Sequence, residues 1–229
     1  MSVMSHELRT PLSVIMGYVS LVQDGMLGAI NPDQREALRK VLARANDQLQ
    51  MINAIMQTTQ LEAGVIAVEL AAVNVTALLD GLKADYAIYR MKPDVSLAWD
   101  YPREPLLIVS DQAKLKQILE NLINNALKFT AAGMVTITAR LETPAAESAA
   151  KRRFRLSVSD TGLGIEREKL ALIFAKFYQV DSSETRIYSG VGLGLYIVKQ
   201  YINLLGGEIA VESEPGNGST FTVTIPLDP

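Results

Sequence analysis

No cysteine occurs among the 229 residues. Disulfides, thiolate nucleophiles and zinc–thiolate centres are thereby excluded, and the absence is compatible with a cytoplasmic setting. Basic runs are equally scarce. Lys151-Arg152-Arg153 is the one run of note and spans three residues, too few to neutralise the phosphates of a nucleic acid. It reads as a solvated loop or strand end. No apolar run is long enough to cross a bilayer, and the polar, helix-like N-terminus is not a signal peptide. The expectation is a soluble fragment with neither a nucleic-acid partner nor membrane contact. The chain holds a single histidine, His6. What it has in quantity is apolar residues, 48% of the sequence against a net charge of −3, ordinary for a globular protein with a real core. The length suits one large domain or two modest ones.

Two periodic stretches open the chain. Leu8, Leu12, Ile15, Val19 and Val22 recur every three or four residues, as do Leu38, Val41, Leu42, Ala45, Leu49, Ile52 and Met56, which is helical spacing. Between them Gly25 and Gly28 suit a helix end, and Asn31-Pro32 suits an N-cap followed by proline at the first helical position. Two helices cannot enclose their own apolar stripes, so the hairpin, residues 1–64, is expected to pair with a second copy in a four-helix bundle. Gly64 should close the second helix. From residue 65 to 229 strands and helices intersperse: a strand through Ile66, Val68 and Leu70, a helix over 75–90, short strands at 96–99 and 106–109, a helix over 111–129, strands at 134–141 and 154–158, a helix after the glycines at 190–194, and paired strands at 208–213 and 220–225. The fold class is α+β, with the hairpin followed by an α/β sandwich whose helices cover one face of a mixed sheet.

Several constellations could carry chemistry. On the helix ending at Phe129, the residues Gln117, Asn121, Asn124, Asn125 and Lys128 share a stripe. Asparagines are poor helix formers, so this is either an exposed face or a site where amide oxygens ligate a hard cation and Lys128 meets phosphate. Asp160-Thr161-Gly162-Leu163-Gly164-Ile165 follows a strand; it is either a plain turn or a place where a ligand approaches backbone and an aspartate accepts from an exocyclic amine. Gly190-Val191-Gly192-Leu193-Gly194-Leu195 opens a helix, as a hinge or as an anion site. Its G-x-G-x-G spacing is neither a dinucleotide fingerprint nor a Walker loop. The segment from Phe174 through Tyr178 and Gln179 to Arg186 begins as core-like aromatics and continues as a polar lid. Last, Ser5-His6-Glu7-Leu8-Arg9-Thr10-Pro11-Leu12 carries the histidine. A neutral imidazole is a competent nucleophile near pH 7; Glu7 can take its proton, Thr10 shares its face, and Pro11 should weaken or bend the helix beside it.

In order and spacing these segments resemble the H, N, G1, F and G2 boxes of sensor histidine kinases: Ser5–Leu12, Gln117–Thr130, Asp160–Gly164, Phe174–Asp181 and Gly190–Leu195. The resemblance implies the Bergerat ATP-binding fold, with ATP and Mg²⁺ as cofactors. It implies Asn121 as the Mg²⁺ ligand, Asn125 and Lys128 on the phosphates, Asp160 on the adenine amino group, and Phe129 as a further ATP-site residue. Gly162, Gly164 and Ile165 would shape the pocket, and Gly190, Gly192, Leu193, Gly194 and Leu195 the lid hinge and phosphate contacts. Tyr178, Gln179, Arg186 and Thr220 complete the implied ATP site. His6 would be the phosphoacceptor, Glu7 its proton partner, and Thr10 the residue that positions water for dephosphorylating a response regulator. Hydrolytic relatives carry glutamate where Asn121 stands, and an amide is too weak a base for that route. Gln179 stands where many members carry an arginine. The chain begins five residues before His6, so a sensor region and the front of the first helix are expected upstream, with a correspondingly weakened homodimer; the longer protein could be membrane-anchored.

The function this implies is ATP-dependent autophosphorylation of His6 followed by transfer to an aspartate of a response-regulator receiver domain, with phosphatase activity toward it. A nucleotide-sensing scaffold and a self-contained ATP hydrolase are the competing classes. Loss of labelling in a His6→Ala variant separates the kinase from the scaffold, and phosphate release independent of His6 marks the hydrolase.

Overall fold

The structure is a computed structural model. It describes residues 2–88, 94–142, 152–180 and 191–227, without the side chains of residues 2–6, 8 and 88. The described residues divide into two compact units, one of residues 2–66 with 191–193 and one of the remainder from residue 67 onward.

The first unit is a helical hairpin. Helix α1 (Ser2–Gln23) runs unbroken through Pro11, so the proline does not end the helix near His6. Helix α2 (Pro32–Glu62) starts as its sequence dictates. Asn31 Oδ1 accepts the Gln34 amide at 2.8 Å while the Asn31 amide donates to Gln34 Oε1, and Pro32 needs no partner. Gly64, at φ +63°, is the left-handed residue that stops the helix. Arg9 Nη2 donates to Asn53 Oδ1 at 2.9 Å and ties α1 to α2. Leu12 and Ala45 are buried in the hairpin, whereas Val14, Ile15, Tyr18, Met51 and Ile55 remain exposed.

An unpaired segment follows α2. Residues 65–70 do not form the strand expected through Ile66, Val68 and Leu70; pairing starts only at β1 (Ala71–Asn74). The reason lies in the backbone. The Glu69 amide donates to Asp111 Oδ2 at 3.0 Å and the Ala67 carbonyl accepts from Lys114 Nζ at 2.7 Å. Side chains therefore satisfy groups that a strand neighbour would otherwise occupy; of the alternating residues, Ile66 and Val68 are half-buried and Leu70 is exposed.

Helix α3 (Val75–Ile88), β2 (Val95–Asp100), β3 (Leu107–Ser110), α4 (Gln112–Phe129), β4 (Gly133–Glu142), β5 (Arg153–Asp160), a short 3-10 turn (Arg167–Lys169), α5 (Gly194–Leu204), β6 (Glu208–Glu214) and β7 (Gly218–Pro226) follow. β1 pairs with β3, and a five-stranded sheet runs β2-β4-β5-β7-β6. Only β2 is parallel to its neighbour, β4, so the sheet is mixed. One face is apolar: Val135, Ile137, Leu156, Val158 and Val223 are at most 1% exposed. α4 and α5 cover it, and α4 sets Leu115, Ile118, Leu119, Leu122, Ile123 and Ala126 against it. The other face is polar, with Thr138, Ser157 and Thr222 in one cross-strand row. This is the α+β sandwich with helices on one side that the sequence predicts.

Candidate nucleotide site

With α4's apolar stripe on the sheet, its amide stripe is turned the other way. Asn121, Asn125, Lys128 and Phe129 are half-buried. Asn124 differs: it is exposed and its Oδ1 accepts the Tyr86 hydroxyl at 2.8 Å, which joins α4 to α3. Asn121 Nδ2 donates to the Gln117 carbonyl at 2.9 Å, so Oδ1 is the atom the side chain presents. That oxygen lies 3.0 Å from where a Cβ on Gly194 would sit, with Asn125 Nδ2 at 4.0 Å. Gly194 opens α5. An amide oxygen suited to a hard cation thus adjoins a helix N-terminus suited to phosphate. Lys128 Nζ sits 4.8 Å from the centroid of the Phe129 ring, and burial pushes its amine below the ordinary lysine range.

Asp160 ends β5 and is 7% exposed. Burial pushes its carboxyl above the ordinary range, opposed by N–H donation from Gly162, at 2.9 Å, and from Ser219. The glycines around it are imposed by backbone proximity. A Cβ on Gly162 would lie 2.4 Å from the Phe129 carbonyl oxygen, and one on Gly164, at φ +67°, would lie 2.0 Å from that of Glu214. The Phe129 carbonyl also accepts the Leu163 amide at 3.3 Å, so the end of α4 and the turn after β5 are built against each other. Ile165 is half-buried and its amide donates to Ser213 Oγ at 2.8 Å.

Phe174 packs edge-on against Phe221, with ring centroids 6.5 Å apart. Tyr178 is half-buried and Gln179 exposed. Phe177 is exposed and adopts φ +60°, an uncommon conformation for a bulky residue. Lys176 Nζ lies 5.1 Å from the Tyr196 ring centroid, joining this turn to α5. Gly192 has φ +73°, Leu193 is buried and Leu195 half-buried. Arg186 and Gly190, with the rest of the expected lid over 181–190, lie outside the described residues. So does the side chain of His6, whose backbone belongs to α1; Glu7 and Thr10 are exposed on the same helix.

Thr220 does not stand beside Asp160. Asp160 pairs in register with Ser219, and Thr220 pairs with Ser159 on the opposite face, their hydroxyls 2.8 Å apart. Strand alternation sends neighbouring side chains to opposite faces, so the hydroxyl near the carboxylate is that of Ser219. Sequence reasoning missed Ser219 and Ser213. The parity of β5 and β7, counted from Asp160, is the signal that finds the first; only the fold places the second.

Residues 110–229 match the family described as histidine kinase-, DNA gyrase B-, and HSP90-like ATPase, and residues 1–64 match the His Kinase A (phospho-acceptor) domain. The sensor histidine kinase GacS of Pseudomonas protegens is 38% identical over 98% of this chain and 24% of its own length. The autoinducer 2 sensor kinase/phosphatase LuxQ of Vibrio vulnificus is 38% identical over 98% of this chain and 26% of its own length. The chain therefore spans about a quarter of these curated relatives. Among solved structures, full-length ShkA in complex with AMPPNP superimposes with a TM-score of 0.74 at 31% identity, covering 98% of this chain and 45% of that one. The catalytic domain of histidine kinase ThkA, in a nucleotide-free form, gives 0.57 at 26% identity over 70% of this chain and 99% of that one. The two family matches cover both parts of the chain, and the chain belongs to the histidine kinase branch of this ATPase family, as a catalytic core joined to a phospho-acceptor domain.

Proposed function

We propose that the chain binds Mg²⁺·ATP in the second unit and transfers the γ-phosphoryl group to His6. The observation that carries the reading is the convergence of Asn121 Oδ1 with the N-terminus of α5 at Gly194, in the unit that also holds the buried acceptor Asp160. Asp160 accepts from the adenine amino group. Phosphate oxygens meet the first amides of α5, with Lys128 and Asn125 nearby. Asn121 Oδ1 would hold a magnesium ion, which would supply neutralisation of the charge that develops on transfer. A ring nitrogen of His6 attacks the γ-phosphorus, the bond to the β,γ-bridging oxygen breaks, ADP departs, and Glu7 receives the imidazole proton. Asn121 is too weak a base to activate water, which favours transfer over hydrolysis.

The second half of the function follows from phosphohistidine chemistry: the phosphoryl group passes to a receiver-domain aspartate of a response regulator. Thr10, exposed on the face of α1 near His6, would position water for the reverse, dephosphorylating role, a reading favoured by the kinase/phosphatase name of the LuxQ relative. The hairpin pairs with a second copy through its exposed apolar side chains.

The test uses γ-labelled ATP. Wild type should acquire acid-labile, alkali-stable label and His6→Ala none. Label persisting in His6→Ala, or equal steady phosphate release from both proteins, would overturn the reading in favour of a hydrolase.

A further inference from the structure

Ser213, on β6, was not among the residues the family resemblance assigns to the site. In register, Ser213 pairs with Ser219 on β7, Ser219 with Asp160 on β5, and Asp160 with Val135 on β4. Alternation puts all four on the helix-covered face of the sheet, so the two serines extend the row that begins at the buried carboxylate.

The hydrogen bonds of Ser213 fix where the protons lie. Its Oγ accepts the Ile165 amide at 2.8 Å and lies 2.9 Å from both the Gly218 carbonyl oxygen and Ser219 Oγ. A hydroxyl has one proton. A carbonyl can only accept, so the Ser213 proton goes to Gly218. An amide N–H can only donate, so Ile165 takes up one Ser213 lone pair. With the Ser213 proton on Gly218, the bond between the two serines uses the Ser219 proton, with Ser213 as acceptor, a direction that the 2.9 Å separation itself leaves open. Ser219 is left with lone pairs and no proton to offer elsewhere. Asp160 beside it is likewise an acceptor.

We propose that Ser213 is a specificity-determining, positioning residue for the purine base, acting through Ser219 and without touching the nucleotide. It makes the base-facing end of the row acceptor-only. Adenine presents an amino group with two donor hydrogens at position 6, whereas guanine presents a carbonyl oxygen there. An amino group suits a carboxylate and a proton-depleted hydroxyl; a carbonyl meets lone pairs on both. A site built from fixed hydrogen-bond partners discriminates far better than an apolar slot of the same shape. The second bond of Ser213, to Ile165, holds the turn after β5 in the same constellation, so one residue sets both proton direction and pocket wall. The proposal rests on the nucleotide-binding reading and concerns which base is taken.

The test is calorimetric titration of the full chain with the magnesium complexes of AMPPNP and GMPPNP, with thermal melting as a folding control. Wild type should favour the adenine analogue strongly. Ser213→Ala frees the Ser219 proton to rotate toward the base. AMPPNP affinity should fall and the adenine-to-guanine affinity ratio should shrink, by about tenfold for one hydrogen bond redirected, while Ser213→Thr, which keeps the hydroxyl, should restore it. A purely structural role would weaken both nucleotides alike and leave the ratio unchanged. An unchanged ratio in Ser213→Ala, or one that Ser213→Thr does not restore, overturns the proposal while leaving ATP binding intact. If wild type binds neither analogue, the nucleotide reading itself fails.

Discussion

Burial holds the Asp160 carboxyl above its ordinary range against the N–H groups of Gly162 and Ser219. A carboxyl whose folded value is raised favours its neutral form in the native state, so its ionisation costs stability once the pH exceeds the folded value, and the cost vanishes in acid below the unfolded value. Asp160→Asn should therefore melt no lower than wild type at pH 7, with its advantage disappearing as the pH falls toward 3, while nucleotide binding is lost because an amide donor replaces an acceptor. Parallel melting and titration curves check this; a clear loss of stability at neutral pH would contradict it. Gly164 behaves in the opposite way. Its φ of +67° and the Glu214 carbonyl in its Cβ position mean that Gly164→Ala must move backbone, at a cost of about 1–3 kcal/mol for the strained conformation alone, so both Tm and affinity should drop. Asp160 and its glycines are legible in the sequence because a strand end followed by Asp-x-Gly-x-Gly has few uses. The serines are not, since serine is common and only the register of three strands gives these two a role.

At the scale of elements, α4 is the part whose sequence says most. Its apolar positions at spacings of three and four fix the buried face, and its amides then fall opposite. Its N-terminus is subtler. Asp111 caps the helix through the Lys114 amide at 3.1 Å and also receives Lys114 Nζ and the Glu69 amide. Burial alone would raise the Asp111 carboxyl; the bonds from Lys114 and Glu69 outweigh it and hold the group below its ordinary range. Its stabilisation is thus present above the unfolded value and lost as the pH falls through the folded one. Lys114→Met leaves a buried carboxylate unpaired and should destabilise the second unit by about 3–5 kcal/mol. Adding Asp111→Asn should recover part of that, and chemical denaturation of the single and double variants measures both. The same pair explains why the alternation at 66–70 misleads: an extended segment held by side chains has the sequence signature of a strand without a ladder.

For the whole molecule, periodicity and punctuation predict the hairpin, the mixed sheet and its helix-covered face, because each follows from local spacing. The neighbours β4–β5 and β6–β7 are also read from the sequence, but the remaining order β2-β4-β5-β7-β6 depends on long-range pairing that no window of sequence contains. The hairpin's exposed Ile15 and Tyr18 imply self-association, and Ile15→Glu with Tyr18→Glu should lower the mass in solution toward that of a single chain while leaving nucleotide affinity unchanged. A wild-type mass already equal to one chain would leave those side chains without the proposed partner. The central claim, however, is the cradle itself, and the structure of the full chain with Mg²⁺·AMPPNP bound tests it most directly. The account expects the adenine amino group on Asp160, the phosphates at the N-terminus of α5 and the magnesium ion on Asn121 Oδ1. Nucleotide bound elsewhere, or bound here with the metal away from Asn121 and the base away from Asp160, would contradict it.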